Sequence, residues 1–233
     1  MKTAMVFLPA HNEEDSVGAI LTRLRAVQTE CAPRVRLTSL LVDDGSRDAT
    51  VARAQAAGVD RVVQHERSRG LGASTRTGLL QAWAGGFDAA VKLDADGQYD
   101  PEDIPRVIEP LLRDEADLVW GVRAVYRYRM PFVRRVGNRV FRDLMRVLTG
   151  WPLSDPQTGT MAFSRRFLDG FTLMADYNPP QVLLWDAARR GLRYAEVPIA
   201  VGARTTGRSF VSWRYPLRVT MNLLRHRVAM GPR

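Results

Sequence analysis

The chain has 233 residues, of which 45% are hydrophobic and 25% are charged, and this composition is ordinary for a folded globular protein. Cys31 is its only cysteine and it has three histidines, which excludes an internal disulfide and a cysteine zinc site and argues against a histidine metal cluster. No apolar stretch approaches the length of a membrane span and the N-terminal residues show no cleavage pattern, so we expect a cytoplasmic location.

Arginine dominates the charge of the chain. The formal net charge is +9, and the sequence contains only two lysines, Lys2 and Lys92. Because arginine forms bidentate contacts with phosphates, this balance indicates an anionic partner, which could be nucleic acid, a membrane surface or a phosphorylated substrate. Composition bias is the alternative explanation for part of this charge.

Apolar strand patterns alternate with helical patterns along the first half of the chain. We predict strands over residues 3–8, 37–42, 59–64, 89–93 and 118–122, helices over 15–28, 48–57 and 70–85, and a further helix that begins at Asp100 with Pro101. In the less regular second half we predict helices over 132–148 and 180–190 and strands over 158–164 and 192–201. This alternation predicts one α/β domain with a mostly parallel sheet flanked by helices.

Two carboxylates follow the predicted strand 89–93. Asp94 and Asp96 lie on the same face of extended backbone, with Gln98 next in that row and the small Ala95 between them. Two carboxylates and an amide oxygen suit a hard divalent cation that keeps water ligands and shares substrate phosphates. A solvated acidic turn is the alternative, and a calcium loop fits less well because Tyr99 stands at its sixth position.

Polar residues also follow two earlier strands, over residues 9–13 and 43–46. Ligands of open α/β sheets bind at the carboxyl ends of the strands, so these two clusters and residues 94–98 would together form a nucleotide-sized site. The alternative is that each cluster is only a capped turn. The loop Gly70-Leu71-Gly72 is weak as a dinucleotide fingerprint because its sixth position is Thr75, and the chain has no P-loop sequence.

Longer motifs carry a resemblance to a known family. They are Leu8-Pro9-Ala10-His11-Asn12-Glu13-Glu14, Val42-Asp43-Asp44-Gly45-Ser46, Asp94-Ala95-Asp96-Gly97-Gln98, Gly121-Val122-Arg123, Asp155-Pro156-Gln157-Thr158-Gly159, Glu196-Val197-Pro198-Ile199 and Arg204-Thr205-Thr206-Gly207-Arg208-Ser209. Together they resemble the family 2 glycosyltransferases of the GT-A fold, which is Rossmann-like, and within that family the dolichyl- or polyprenyl-phosphate mannose or glucose synthases. The resemblance covers roughly residues 3–210.

The resemblance implies roles for individual residues. It implies that the donor diphosphate is held by Mg²⁺ or Mn²⁺ bound to Asp94, Asp96 and Gln98. The implied contacts to the nucleotide sugar are Pro9, His11, Asn12, Glu13, Asp43, Asp44, Asp94, Ala95, Asp96 and Arg204. The implied catalytic residues are Asp94, Asp96, Arg123, Arg135 and Asp155, with the arginines facing phosphates of donor or acceptor.

The implied reaction is metal-dependent, inverting transfer of a hexose from a nucleotide sugar to a polyprenyl or dolichyl phosphate, with GDP-mannose as the favoured donor. A phosphate acceptor is already an anion at neutral pH and needs positioning more than a base. A hydroxyl acceptor would need a base, for which the resemblance suggests Asp155. Two alternatives stay open: transfer to a soluble hydroxyl acceptor, and a non-catalytic protein that binds anions or nucleic acid. We favour the lipid phosphate and expect no nucleic acid partner.

The C-terminal residues 213–233 predict a basic amphipathic helix. Trp213, Leu217, Met221, Leu224 and Val228 form one apolar stripe, and most of the arginines lie off it. This composition predicts peripheral binding to an anionic membrane surface, with packing on the domain as the alternative. We place the GT-A domain at 1–212, with a nucleotide-binding half at about 1–98 and an acceptor half at about 99–212.

Overall fold

The computed structural model describes residues 1–123, 132–155, 158–172 and 179–202, and for residues 132–138, 140 and 179 it describes the backbone alone. The strands are β1 (Lys2–Ala10), β2 (Val35–Asp43), β3 (Arg61–Gln64), β4 (Ala89–Leu93), β5 (Leu118–Arg123), β6 (Thr160–Ser164) and β7 (Tyr194–Ile199). The helices are α1 (Val17–Cys31), α2 (Thr50–Ala56), α3 (Leu71–Ala84), α4 (Ile104–Leu112), α5 (Phe132–Thr149), α6 (Arg165–Leu168) and α7 (Pro179–Arg189).

The seven strands form one sheet in the order β3-β2-β1-β4-β6-β5-β7. Strand β6 runs antiparallel to both of its neighbours, β4 and β5, and the other paired strands are parallel. The predicted α/β fold with a mostly parallel sheet flanked by helices is therefore confirmed. Because β6 is reversed, its first residues lie at the same edge of the sheet as the carboxyl ends of the other six strands.

The sheet is covered on both faces. Along β1, Ala4, Val6 and Leu8 pack with α1, α2 and α4 on one face, whereas Met5 and Phe7 pack with α3, α5, α6 and α7 on the other. A sheet that is buried on both faces needs apolar residues along most of its strands, which is why β1 and β4 are mostly apolar, with Lys92 as the exception in β4. Polar side chains are consequently concentrated where the strands end.

Three local features differ from the sequence predictions. Helix α6 was not predicted, and it begins where Ser164 Oγ accepts a hydrogen bond of 3.2 Å from Phe167 N. The predicted helix at Asp100 begins as a 3₁₀ turn, Pro101–Asp103, before α4. Helix α1 begins at Val17 rather than at residue 15, and Ser16 before it makes no side-chain cap but donates to Ala95 O at 2.6 Å.

No helix within the described ranges is both long and apolar enough to cross a membrane. The predicted helix at 213–233 lies outside the described residues. The division into halves at about residue 98 stays a prediction, since strands from both halves join the same sheet.

Candidate active site

The loops that follow β1 and β2 are bonded to each other. Asp44 N donates to Ala10 O at 2.8 Å, and Asn12 N donates to Ser46 Oγ at 2.9 Å. The side chain of Asn12 accepts in return from Arg47 N at 2.9 Å. Asn12 has φ 55°, a left-handed conformation that asparagine tolerates better than most residues. The paired loops place the predicted nucleotide-binding residues of both motifs side by side.

His11 is held in one tautomer by these loops. Its Nδ1 atom lies 2.8 Å from Asp44 O, and a carbonyl oxygen only accepts, so Nδ1 carries the proton. In the neutral ring the Nε2 atom is then an acceptor, and Asn12 Nδ2 lies 3.2 Å from it. The imidazole is therefore fixed in orientation beside the loop that follows β2.

Asp44 is buried, and its carboxylate is surrounded by hydrogen-bond donors from the loop after β3. It accepts from His65 Nδ1 and Ser68 Oγ at 2.8 Å each, from Gly70 N at 2.8 Å and from Arg69 N at 3.0 Å. Burial by itself would raise the pKa of Asp44, but these hydrogen bonds, led by the one from His65, lower the pKa to about 2. Asp44 thus connects the second loop to the third, and its contact with a nucleotide stays a prediction.

Gly45 allows the second and third loops to approach each other. It has φ 70°, and a Cβ atom at this position would lie 2.7 Å from the carbonyl carbon of Arg67 and 2.8 Å from Ser68 N. Any side chain would therefore push the loops apart. Next to it, Asp43 is 1% exposed and accepts from Ser46 N at 3.2 Å, which closes the turn of the second loop.

The carboxylate pair follows β4 at the same edge. Asp94 Oδ1 accepts from the ammonium of Lys92, which lies two residues earlier on the same face of the strand. A Cβ atom at Gly159 would overlap Asp94 Oδ2, so Asp94 lies between Lys92 and the start of β6. Asp96 Oδ1 accepts from Gln98 N at 3.1 Å, which shapes the loop that carries both residues.

Neighbouring segments fix the backbone of this carboxylate loop. Ala95 is 2% exposed, and its carbonyl accepts from Ser16 at the start of α1. On the other side, Gly202 N donates to Gln98 O at 2.8 Å. Buried Tyr99 lies close by, and burial followed by the charge of Asp94 raises the pKa of its hydroxyl. The loop is therefore held from α1 and from the segment after β7.

Arg123 and Asp155 form a largely buried ion pair beside the carboxylate loop. Arg123 Nε lies 2.5 Å from Asp155 Oδ2, and the two side chains are 14% and 9% exposed. Trp120 Nε1, on the same strand as Arg123, donates to Asp155 O at 2.9 Å. Strand β5 therefore positions both the side chain and the backbone of Asp155.

The structure brings most of the predicted site residues to one edge of the sheet. They are Pro9, His11, Asn12, Glu13, Asp43, Asp44, Asp94, Ala95, Asp96, Gln98, Arg123 and Asp155. The side chain of Arg135 and the whole of Arg204 lie outside the described residues. The sequence analysis assigned no role to Lys92 or His65, and it named Gly159 only as part of the Asp155 motif. A lysine inside an apolar strand, two residues before the first aspartate, was the signal for Lys92.

The donor set at the end of β4 fits a divalent cation. The residues there carry carboxylate and amide oxygens, the type of ligand that Mg²⁺ and Mn²⁺ accept. Among the described residues, no group of three or more His, Cys, Asp or Glu side chains is arranged to hold a metal ion. Asp94, Asp96 and Gln98 would supply part of a coordination sphere, with a substrate phosphate and water as the remaining ligands.

Comparison with known proteins decides the family. The family model described as glycosyl transferase family 2 matches residues 5–171. The chain belongs to this family. It is a glycosyltransferase, and the paired loops and the carboxylate loop described above occupy the matched region.

Relatives of this glycosyltransferase include enzymes named for lipid phosphates. It is 30% identical to UDP-N-acetylglucosamine–dolichyl-phosphate N-acetylglucosaminyltransferase of Methanococcus voltae, over 85% of each chain. It is 32% identical to polyprenol monophosphomannose synthase of Mycolicibacterium smegmatis, over 89% of this chain and 80% of the relative.

A solved structure with the same fold contains a metal and a nucleotide. Glucosyl-3-phosphoglycerate synthase from Mycobacterium tuberculosis, in complex with Mn²⁺, UDP and glucosyl-3-phosphoglycerate, matches with a TM-score of 0.76 and 27% identity. The match covers 97% of this chain and 80% of the synthase. The GT-A fold predicted from the sequence is thereby confirmed.

Proposed function

We propose that this glycosyltransferase moves a hexose from a nucleotide sugar to a polyprenyl phosphate, with GDP-mannose as the favoured donor. The observation that carries the choice of acceptor is the ion pair between Arg123 and Asp155. Asp155 is the base that the resemblance offers for a hydroxyl acceptor, and its carboxylate is already engaged by a guanidinium in a largely buried place. A phosphate acceptor needs no base, because it is an anion at neutral pH.

The relatives support the lipid phosphate. Two enzymes that match most of the chain are named for dolichyl phosphate and for polyprenol monophosphomannose. The second also supports mannose as the sugar. A uridine donor is the second candidate, since the Methanococcus voltae relative is named for UDP-N-acetylglucosamine and the solved synthase was crystallised with UDP.

In this proposal, different residues at the sheet edge bind the nucleotide and the cation. The paired loops after β1 and β2, with His11 and Asp43, provide a preformed wall for the nucleotide. Asp96 and Gln98, with Asp94 beside them, are the residues that would hold Mg²⁺ or Mn²⁺. When bound, the cation would stabilise the negative charge of the leaving diphosphate.

The transfer itself is an in-line displacement at the anomeric carbon, with inversion. An oxygen of the acceptor phosphate forms the new bond to this carbon while the bond to the nucleoside diphosphate breaks. Arg123 supplies fixed positive charge at the end of β5, where two anionic groups must approach each other. Catalysis in this proposal rests on positioning and charge rather than on proton abstraction.

A thermal-shift panel tests the donor. The full chain is mixed with GDP-mannose, UDP-glucose, UDP-N-acetylglucosamine or a dTDP-sugar, each with and without Mn²⁺, and a ligand that binds the folded state raises the melting temperature. We expect the largest shift with GDP-mannose and Mn²⁺ together. A larger shift with a uridine sugar would make that sugar the donor in place of GDP-mannose. Binding of nucleic acid without any response to nucleotide sugars would contradict the proposed glycosyl transfer.

A transfer assay tests the acceptor. Radiolabelled donor is incubated with the enzyme and either a short-chain polyprenyl phosphate, the matching polyprenol, or a soluble hydroxyl acceptor. We expect label to enter the lipid phosphate only. Label on the polyprenol or on the soluble compound would contradict the phosphate acceptor.

A further inference from the structure

Asp103 stands at the start of a helix that its side chain does not cap. It comes immediately before α4, where an aspartate usually accepts a hydrogen bond from the first turn of the helix, but it makes no such bond. Its Oδ2 atom accepts instead from Ala200 N at 3.0 Å, across 97 positions of the sequence. Asp103 is 8% exposed, and burial raises the pKa of its carboxyl. The hydrogen bond to the chain after β7 therefore offsets a cost in solvation.

Arg106 adds a second contact to the same stretch of chain. Its Nη1 atom donates to Asp103 Oδ1 at 3.1 Å, and its Nη2 atom donates to Pro198 O at 2.6 Å. Asp103 and Arg106 thus bond to each other and to the backbone of residues 198 and 200. We call this pair of side chains the α4 clamp.

The α4 clamp acts where the sheet no longer holds the chain. The ladder between β5 and β7 ends with the pair Arg123 and Ile199, so residues 200–202 lie beyond it. Hydrogen bonds to the segment 98–103 take the place of the ladder, because Val201 forms an antiparallel bridge with Tyr99. The position of residues 200–202 consequently depends on contacts with this one segment.

These residues are bonded in turn to the carboxylate loop. Gly202 N donates to Gln98 O at 2.8 Å, and Gln98 N donates to Asp96 Oδ1 at 3.1 Å. A continuous series of hydrogen-bonded segments therefore leads from Asp103, through residues 200–202 and the backbone of Gln98, to the carboxylate of Asp96.

We propose that Asp103 is a positioning residue of the metal site, which holds residues 200–202 against the carboxylate loop so that Gln98 and Asp96 keep the geometry that binds the cation. The inference rests on the proposed metal-dependent transfer and adds to it a residue that acts only through others. Groups that orient metal ligands typically contribute about 10–100-fold to metal affinity. Because Asp103 acts through intervening residues, we expect an effect at the lower end of this range.

Three variants and a control separate this role from others. Asp103→Ala removes both bonds of the carboxylate, whereas Asp103→Asn keeps one oxygen that can accept from Ala200 N. Arg106→Met removes the bond to Pro198 O at a side chain that is 58% exposed. Glu109→Ala is the matched control, because it breaks an ion pair with Arg113 that lies one to two turns further along α4.

The first measurement is calorimetric titration of the full-length protein with Mn²⁺ in the presence of saturating GDP or UDP. We expect Asp103→Ala to bind Mn²⁺ about tenfold more weakly than the unaltered protein. Asp103→Asn should bind within about threefold of the unaltered protein, and Glu109→Ala should match it. Binding of GDP or UDP in EDTA should be the same in all of them, since the first three loops are unaltered.

The second measurement is amide hydrogen exchange, followed by mass spectrometry. Peptides that contain residues 200–202 should exchange faster in Asp103→Ala than in the unaltered protein, because local opening no longer has to break the bond to Asp103. Exchange in Glu109→Ala should be unchanged. Slower or equal exchange in Asp103→Ala would show that the α4 clamp does not hold this stretch, and would overturn the inference.

Other outcomes also overturn it. A purely structural role would lower the melting temperature of Asp103→Ala and leave its Mn²⁺ affinity unchanged, and an equal loss of affinity in Asp103→Asn would assign the effect to charge rather than to the bond with Ala200. If Asp103→Ala does not fold, as judged by circular dichroism, Arg106→Met decides: Mn²⁺ binding about threefold weaker supports the inference, and unchanged binding contradicts it.

The titrations also separate this inference from the proposed function. Failure of the lipid acceptor would appear in the transfer assay and leave the Mn²⁺ titrations intact. If the unaltered protein with nucleotide does not bind Mn²⁺, both the metal-dependent transfer and the role of Asp103 are wrong.

Discussion

Gly159 lies so close to Asp94 that a Cβ atom at position 159 would overlap the carboxylate oxygen Oδ2 of Asp94. The glycine belongs to the motif that begins at Asp155, and the aspartate belongs to the carboxylate loop after β4. The reversed strand β6 brings the two motifs together, since Leu93 pairs with Thr160 across the sheet. The glycine in the Asp155 motif is therefore required by the position of Asp94.

This contact predicts the effect of Gly159→Ala. The added methyl group must displace Asp94 or the ring of Tyr99, so we expect kcat to fall by more than about tenfold and the free energy of unfolding to fall by about 1–3 kcal/mol. Steady-state kinetics and urea unfolding measure both. Gly18→Ala is the control, because its nearest neighbour is 3.9 Å away and alanine favours a helix. Full activity of Gly159→Ala would contradict the packing described here.

Asp96 is expected to be essential for metal-dependent turnover. Asp96→Ala should abolish transfer while the protein keeps its melting temperature, because the residue lies in a partly exposed loop outside the core. Turnover by the unaltered enzyme should also stop in excess EDTA and return with Mn²⁺ or Mg²⁺. The control is Asp143→Ala on the exposed face of α5, where the carboxylate is 57% exposed. Activity that survives either Asp96→Ala or EDTA would exclude the metal role.

Asp44 is expected to stabilise the fold in a pH-dependent way. Asp44→Asn should lower the free energy of unfolding by about 3 kcal/mol at neutral pH, since several buried donors lose a charged acceptor. The pKa of Asp44 is depressed in the folded state to about 2, so its contribution is complete above the unfolded pKa and is lost as pH falls through the folded value. Urea unfolding between about pH 7 and pH 2 should show the two proteins converging at the acid end. A constant difference across this range would contradict the assignment.

Asp155→Asn distinguishes the two kinds of acceptor. Loss of a general base costs about 10²–10⁴ in rate, whereas a residue that only positions Arg123 should cost about tenfold or less in kcat with polyprenyl phosphate. A loss beyond a hundredfold would assign Asp155 to proton abstraction and favour a hydroxyl acceptor.

Binding to an anionic membrane is the prediction for residues 213–233. The full chain should pellet with vesicles that contain anionic lipid and remain in solution with neutral vesicles, and raised salt should release it. Deletion of residues 213–233 should abolish pelleting and leave GDP-mannose binding unchanged. If both proteins pellet equally, or neither pellets, residues 213–233 are not a membrane anchor, and a soluble acceptor becomes the favoured alternative.

The local sequence pattern was enough to predict some features of this molecule but not others. The apolar run before Asp94 predicted β4 and the carboxylates at its end, because strand periodicity and burial act within a few residues. The donors around Asp44 come from residues 21 to 26 positions away, and the partner of Arg123 is 32 positions away. Such contacts depend on the order of strands in the sheet, which periodicity does not encode. Lys92 is a different case, because a lysine inside the predicted strand 89–93 was a local signal for its pairing with Asp94 that the sequence predictions did not use.

The hydrogen bonds that join the first three loops determine how donor specificity can change. Asn12 is bonded to the second loop, and Asp44 connects the second loop to residues 65–70. A substitution in one loop therefore alters the support of the other two, and because the three loops are already joined they would lose little conformational entropy if a donor binds there. Attempts to redirect the enzyme to another nucleotide should exchange these three loops together as a cassette, and chimeras that exchange one of them should lose stability before they gain a new donor.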